Sequence, residues 1–253
     1  MPLYTLDPLN RFSDRASDYV KYRPTYPRSA IDAILAGLAT PLIAADVGAG
    51  TGISARLFGD RGVRVWAIEP NPAMSALAEP HPQVEFRQAT AEQTGLPDRS
   101  IDLVTCFQAF HWFNPDPTLA EFARILKPGG RLAPVWNTRD YRDSFTNEYG
   151  ELLRQASNKH PALDSSFNRA EAMPTSEYFT NFREMQFPLE QPLDLPALIG
   201  NAKSRSYAPT DPATLNQLIR DLEDLYQRYK NDQGVVTVKY LTKVFMAESL
   251  DQG

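Results

Sequence analysis

Glycines occupy alternate positions in the stretch DVGAGTG, residues 46–52, which lies between a short apolar run and a segment with a helical pattern. Glycine allows a backbone to turn tightly and to approach a ligand closely. The start of the following helix also presents free N–H groups to a bound molecule. A strand, a glycine turn and a helix in this order therefore predict a cofactor site.

The spacing of these glycines distinguishes between cofactors. A dinucleotide site needs G-x-G-x-x-G, whereas this turn reads G-x-G-x-G, with Ile53 at the place of the third glycine. The Gly-Lys-Ser/Thr ending of a P-loop is also missing. Asp46 suits a cofactor with a cationic centre and an ammonium group better than it suits a pyrophosphate. A nucleotide-dependent oxidoreductase and a non-catalytic cofactor-binding protein stay open as alternatives.

The runs around this turn alternate between strand and helix spacing. Strands are predicted at residues 63–68, 84–88, 101–106 and 131–136, and helices at residues 29–39, 53–58, 71–78 and before a stop at residues 128–130. This alternation predicts an α/β fold, in which helices cover both faces of a parallel sheet. We expect the ligand outside the carboxyl ends of the strands, where the strand order switches.

The pattern changes after about residue 140. Residues 141–181 are polar, with weak helical stretches, and are predicted to be an inserted cap segment. Beyond them we predict a strand at residues 182–189, a helix within residues 193–206, an amphipathic helix at residues 211–230 and a strand at residues 235–245. The chain then reads as a single domain with a lid arm at residues 1–28, a cofactor-binding core at residues 29–140, the cap, and a part completing the sheet at residues 182–253.

Several motifs occur in the order found in one enzyme family. Residues 46–52 (DVGAGTG), 67–71 (AIEPN), 89–92 (ATAE), 100–104 (SIDLV) and 126–132 (LKPGGRL) resemble the class I S-adenosylmethionine-dependent methyltransferases. The resemblance implies S-adenosylmethionine as methyl donor and a Rossmann-like fold. That fold has a mostly parallel, twisted, seven-stranded sheet, an antiparallel C-terminal edge strand and here a helical cap insertion. Motifs at residues 19–27, 107–113 and 204–207 are similar to a small-molecule branch that includes trans-aconitate methyltransferase.

The resemblance assigns cofactor contacts to the ends of the predicted strands. Glu69 lies about 20 residues beyond the glycines, where an acidic side chain can accept hydrogen bonds from both ribose hydroxyls. Many family members carry an aspartate for the adenine amino group at the position of Thr90, so the Ala91 backbone and the Glu92 side chain are the candidates here. The predicted cofactor contacts are Asp46, Gly48, Ala49, Gly50, Gly52, Glu69, Pro70, Ala91, Glu92 and Gln108.

Candidate acceptor residues cluster after the fourth predicted strand. His111 is the candidate catalytic residue: it could be a general base, a hydrogen-bond donor to an acceptor carboxylate, or a packed structural histidine. Arg205 could bind a carboxylate through two hydrogen bonds, or form a surface ion pair. The predicted substrate contacts are Tyr19, Tyr22, Arg23, His111, Trp112, Trp136 and Arg205. The predicted reaction is in-line transfer of a methyl group to a small molecule, with a carboxylate as the candidate acceptor.

Composition narrows the choice of partners. The net charge of −5 over 253 residues argues against a nucleic-acid partner, because neutralising phosphates needs a basic surface. The single cysteine, Cys106, and three histidines without ligand spacing predict neither a disulfide nor a metal site. No signal-peptide pattern and no apolar run of membrane-spanning length is found. We therefore expect a cytoplasmic monomer or homodimer without a membrane partner.

Overall fold

The computed structural model describes residues 21–157 and 173–250. Strands and helices alternate along the first half of the chain, as the sequence predicts. They are α1 (Arg28–Leu35), β1 (Ile43–Val47), α2 (Ile53–Gly59), β2 (Arg64–Ile68), α3 (Pro72–Ser75), β3 (Val84–Arg87), β4 (Ile101–Phe107), α4 (Pro115–Ile125) and β5 (Leu126–Arg139). The second half adds α5 (Ser144–Ala156), β6 (Phe179–Leu193), α6 (Leu195–Lys203), α7 (Pro212–Tyr229) and β7 (Val236–Ser249).

The strands form a seven-stranded sheet in the order β3-β2-β1-β4-β5-β7-β6. Neighbours from β3 to β5 are parallel, and β7 is antiparallel to both β5 and β6. The order reverses between β1 and β4, which opens a crevice outside their carboxyl ends. The predicted fold class is confirmed. The last strand of the chain is antiparallel and lies between β5 and the edge strand β6.

The central strands are buried on both faces because helices cover each side of the sheet. Successive residues of a strand point to opposite faces. Ala44 packs in one apolar cluster with Ile31 of α1 and Phe58 of α2. Ala45 packs in a second cluster with Phe122 of α4. This two-sided burial explains why the central strands are near-continuous apolar runs.

The C-terminal part has its own apolar cluster between α5, α7 and β7. Tyr149 and Leu153 of α5 meet Leu222 of α7 and Val238 of β7 there. Where the sequence suggested only weak helical stretches, α5 is a continuous helix of 13 residues. Its apolar residues recur every four positions, and Asp143 caps its start by accepting from the Thr146 N–H at 2.9 Å. The assignment of residues 141–181 as an inserted cap stays a prediction, and residues 158–172 of it lie outside the described ranges.

Several predicted boundaries are wrong, and α1, for example, ends at Leu35 rather than near residue 39. The helix predicted at residues 71–78 is only the four-residue α3. The glycines at 129 and 130 do not stop α4, because β5 begins at Leu126 and runs through them. Leu126 already has extended backbone angles and pairs with Ile101 of β4, so the chain passes directly from helix to strand. In the described part of the chain, no helix is long and apolar enough to cross a membrane.

The C-terminal cluster predicts a stability effect that can be measured. Leu222 is fully buried, so Leu222→Ala should lower the free energy of unfolding by about 2–5 kcal/mol through lost burial and a residual cavity. Leu77 is 43% exposed, and the same substitution there should change it by no more than about 0.5 kcal/mol. Urea unfolding of both variants measures the two values. Equal losses would contradict the packing described for α7.

Candidate functional site

The glycine turn lies at the carboxyl end of β1 and directly before α2. The N–H groups of Gly48 and Ala49 donate to the carbonyl of Ile68 at 2.8 and 3.1 Å, which holds the turn against the end of β2. Gly48 has a φ of 71°, and a Cβ there would lie 2.5 Å from the Cβ of Ala109. Both the backbone angle and the close approach of the loop after β4 therefore require glycine.

Glu69, directly after β2, connects the turn to the start of α3. Its two carboxylate oxygens accept from the Gly50 N–H at 2.8 Å and the Asn71 N–H at 2.9 Å. Burial raises the pKa of this carboxyl group, and the two N–H groups counteract the rise. A carboxylate has about four lone-pair sites, so two of them stay available for further donors such as ribose hydroxyls.

Asp46 supports the turn from behind. It is fully buried, and its carboxyl oxygens accept from the hydroxyls of Ser54 at 2.6 Å and Thr105 at 2.8 Å. Burial raises its pKa to about 6, although both hydroxyls lower it. Asp46 thus connects β1, β4 and the first turn of α2. This position suits orientation of the turn better than the direct cofactor contact predicted for Asp46.

A cleft opens beside the turn and is bounded by three parts of the chain. These are the N-terminal segment (residues 21–27), the turn with the start of α2, and the ends of β4 and β5. The lining residues are Arg23, Pro24, Tyr26, Gly48, Ala49, Thr51, Ile53, Ser54, Phe107, Gln108 and Asn137. Tyr26 packs edge-on against Phe107, with ring centroids 4.5 Å apart. The segment predicted as part of a lid therefore forms one wall of the cleft.

Hydrogen bonds from the sheet and from the C-terminal part hold the N-terminal segment. The Asn137 side-chain amide donates to the carbonyl of Thr25 at 3.0 Å. The Asn201 amide donates to the carbonyl of Tyr22 at 2.9 Å. Arg23 donates to the carbonyl of Ser204 at 3.1 Å. The segment consequently connects the core to α6.

Gln108 follows β4 in a strained conformation. Its φ is 55°, a value that residues other than glycine rarely adopt, and its side-chain amide donates to the carbonyl of Asn137 at 3.1 Å. Strained backbone of this kind occurs preferentially at functional sites. The hydrogen bond connects the end of β4 to β5 at two residues that line the cleft.

Thr51 lines the cleft, and its hydroxyl has no hydrogen-bond partner among the described residues. The residue is 1% exposed. A buried hydroxyl without a partner costs free energy. Together with the lone pairs that stay available on Glu69, it makes this corner suitable for a ligand with hydroxyl and amino groups.

His111 lies in a short 3₁₀ helix, Phe110–Trp112, beyond the end of β4. Its Nδ1 accepts from the indole N–H of Trp136 at 3.1 Å. Burial lowers its pKa to about 3, and the positive charge of Arg23 contributes. The imidazole is therefore neutral near pH 7. With Nδ1 accepting, the proton lies on Nε2, which can donate to a ligand.

Comparison with known proteins identifies the family. A sequence model described as a methyltransferase domain matches residues 45–133. An uncharacterized methyltransferase of Mycobacterium tuberculosis is 35% identical over 237 residues, which cover 91% of this chain and 92% of that protein. The chain belongs to the class I S-adenosylmethionine-dependent methyltransferases. This membership removes support for the oxidoreductase alternative.

Two further proteins resemble this methyltransferase over most of its length. An uncharacterized methyltransferase-like protein of Schizosaccharomyces pombe is 29% identical over 247 residues, covering 95% of this chain and 96% of that protein. A solved structure from Anaeromyxobacter dehalogenans, assigned as a type II methyltransferase, has a TM-score of 0.67 at 24% identity. It covers 91% of this chain and 100% of its own. The latter likeness supports the fold.

The other predicted cofactor residues have mainly backbone or packing roles in the methyltransferase. Gly52 precedes α2 with a φ of 75°. The carbonyl of Pro70 accepts from the Gln88 side chain at 3.3 Å. Ala91 is buried in the apolar cluster under α4, and Glu92 accepts from the Asn114 N–H at 3.2 Å. Glu92 therefore supports the loop after the 3₁₀ helix.

The predicted acceptor residues lie either at the cleft and around His111 or against α6. Arg23 lines the cleft. Trp136 donates to His111, and the ring centroids of Trp112 and His111 are 5.2 Å apart. Tyr22 has its ring against Gly200 of α6, and Arg205 is buried. Arg205 donates to Asn201 at 2.8 Å and to the Tyr240 hydroxyl at 2.9 Å, so it is not the surface ion pair that was one alternative. Tyr19 lies outside the described residues.

The sequence analysis missed two residues with a place at or near the cleft. Thr51 was part of a quoted motif but received no role, and it lines the cleft. Arg139 lies beyond the predicted end of the fifth strand, two residues after Asn137, which lines the cleft. In the described ranges, no three His, Cys, Asp or Glu side chains lie close enough to hold a metal ion.

The environment of His111 predicts how stability depends on pH. Between its ordinary pKa of 6.5 and about 3, the unfolded chain binds a proton on His111 that the folded protein does not. The free energy of unfolding should therefore decrease as the pH is lowered through this range, by up to about 1.4 kcal/mol per pH unit from this group. His111→Gln should flatten the dependence. Urea unfolding of both proteins at several pH values between 7 and 4 tests this, and parallel curves would contradict a buried neutral imidazole.

Proposed function

We propose that this methyltransferase transfers the methyl group of S-adenosylmethionine to a small-molecule acceptor, with a carboxylate as the candidate acceptor group. The observation that supports this most is the arrangement of the cleft. The glycine turn borders it on one side, and Arg23 and Tyr26 border it on the other. A cleft walled by the chain's own N-terminal segment suits a small acceptor better than a macromolecule. The net charge of −5 also disfavours a nucleic-acid substrate.

In this proposal, the cofactor binds between the turn and the end of β2. Glu69 accepts from the ribose hydroxyls with the lone pairs that its two backbone partners leave available. The backbone at Gly48, Ala49 and Gly50 passes close to the amino-acid part, and Thr51 supplies a hydroxyl. Pro70, Ala91, Glu92 and Gln108 border the adenosine. Asp46 and Gly52 act indirectly, by fixing the turn.

The proposed reaction requires mainly that the protein align the methyl donor with the acceptor. Bound S-adenosylmethionine would supply an electrophilic methyl group, which a nucleophile attacks in line while S-adenosylhomocysteine leaves. A carboxylate acceptor is already ionised at pH 7 and needs no general base. His111, neutral and with its Nε2–H available, is suited to hold such a group by donating a hydrogen bond. We therefore favour the donor role over the general base among the three roles predicted for His111.

The finer assignments rest on the sequence. Motifs at residues 19–27, 107–113 and 204–207 support a place in the small-molecule branch that includes trans-aconitate methyltransferase. Activity in the cytoplasm, as a monomer or homodimer and without a metal, also stays a prediction.

The hydroxyl of Thr51 provides a test of the cofactor site. Thr51→Val removes a hydroxyl that has no partner in the described protein, so stability should not fall. If the hydroxyl contacts the cofactor, the Kd for S-adenosylmethionine should rise by about tenfold, as for one lost hydrogen bond. Thr118 is a matched control, since its hydroxyl is also buried without a described partner but does not line the cleft. Calorimetry should show unchanged affinity for Thr118→Val, and equal affinities in both variants would contradict the assignment.

A methyl-transfer screen tests the reaction itself. The wild type is supplied with S-adenosylmethionine and with polycarboxylates, phenols or amines, and release of S-adenosylhomocysteine is measured. We expect the wild type to turn over at least one polycarboxylate. Separately, Glu69→Gln should bind the cofactor about 10–100-fold less tightly, because a charged hydrogen-bond acceptor is removed. The exposed Glu85→Gln is the control and should bind as the wild type does. Cofactor binding without turnover of any acceptor class would favour the non-catalytic alternative.

A further inference from the structure

Arg139 ends β5 among aromatic side chains rather than carboxylates. Its guanidinium donates to the hydroxyl of Tyr207, approaches the hydroxyl of Tyr141 at 3.4 Å and lies 5.6 Å from the ring centre of Tyr149. Its Nε is shielded from solvent and has no hydrogen-bond partner in the described protein. No carboxylate of the described residues forms an ion pair with it. A guanidinium in this setting lacks a negative counter-charge.

The positive charge is reinforced by its neighbours. Burial alone raises the pKa of Tyr207, but the charges of Arg139, Arg205 and Arg23 outweigh burial, and the pKa of Tyr207 is lowered. Removing a guanidinium from water without an anionic partner costs free energy. Phenol hydroxyls offset only part of this cost, because they are uncharged. An anion placed beside Arg139 would supply the missing charge.

The location of Arg139 relates this charge to the cleft. Asn137 lines the cleft, and Arg139 lies two residues further along the same strand. Residues two apart in a strand point to the same face and are about 7 Å apart. Arg23, which lines the cleft, donates to the carbonyl of Ser204, three residues before Tyr207. Arg139 and Tyr207 are therefore close to the residues that border the cleft.

We infer that Arg139, with Tyr207, binds an anionic group of the acceptor that is distinct from the atom receiving the methyl group. The acceptor class is then a molecule with at least two polar ends, one of them a carboxylate or a phosphate. Guanidinium donors bind both anions through paired hydrogen bonds. Tyr141 is 57% exposed, so its hydroxyl can leave Arg139 when an anion enters. This inference rests on the proposed function, because it concerns the acceptor of the same reaction.

The test measures anion binding directly and needs no turnover. The full chain, saturated with S-adenosylhomocysteine, is titrated by calorimetry at constant ionic strength with propane-1,2,3-tricarboxylate, glycerol 3-phosphate and the neutral propane-1,2,3-tricarboxamide. We expect the wild type to bind at least one of the anions at least about tenfold more tightly than the neutral compound. Arg139→Gln should abolish this preference. The anion that binds more tightly indicates whether the acidic group of the acceptor is a carboxylate or a phosphate.

Two more variants keep the test decisive. Arg142 is an exposed arginine paired with Asp140, and Arg142→Gln should retain the anion preference of the wild type. If Arg139→Gln does not fold, Arg139→Lys keeps the charge but loses the paired donors, and should bind the anion about fivefold less tightly. No anion preference in the wild type, or an unchanged preference in both Arg139 variants, would overturn the inference. Failure of S-adenosylhomocysteine to bind would instead count against the proposed function, and the two results are read separately.

Discussion

One carboxylate, that of Glu69, holds together the corner on which the site depends. It accepts from Gly50 in the turn after β1 and from Asn71 at the start of α3, so the ends of two neighbouring strands share one acceptor. Both donors are backbone N–H groups, which lets the contact fix loop shape independently of side-chain rotamers. The glycine turn provides the flexibility to reach the carboxylate, and the carboxylate restricts the turn to one conformation.

This corner is maintained at a cost in stability. Asp46 and Glu69 are both buried, burial raises the pKa of each, and the charge of Glu69 raises the pKa of Asp46 further. Two carboxyl groups in one interior region lower the free energy of unfolding compared with apolar side chains of similar size. Their hydroxyl and N–H partners reduce the cost but do not remove it. Such a local loss of stability is expected at a site that is preorganised for a ligand with donor groups.

The sequence predicts the strands and turns from β1 to β5 far better than the contacts between distant parts of the chain around the cleft. The turn, Glu69 and the order of β1 to β5 follow from local patterns, because each strand, turn and helix is a short continuous stretch. The partners at the acceptor side are distant in the chain: Trp136 and His111 are 25 residues apart, and Arg139 and Tyr207 are 68 apart. No local pattern encodes such pairs. The extension of β5 to Arg139 was missed for a related reason, since antiparallel pairing with β7 carries it beyond its apolar run.

The separation between local contacts around Glu69 and long-range contacts around the cleft suggests how one fold can keep its methyl donor while the acceptor changes. The N-terminal segment contacts Asn137 of the sheet, Asn201 of α6 and the carbonyl of Ser204 through single hydrogen bonds. None of these contacts involves the glycine turn or Glu69. Substitutions in α6 or in the segment can therefore reshape the acceptor wall while the corner around Glu69 stays intact. Under the proposed function, acceptor specificity then depends on long-range contacts of the C-terminal part, and the parallel strands provide the frame on which those contacts converge.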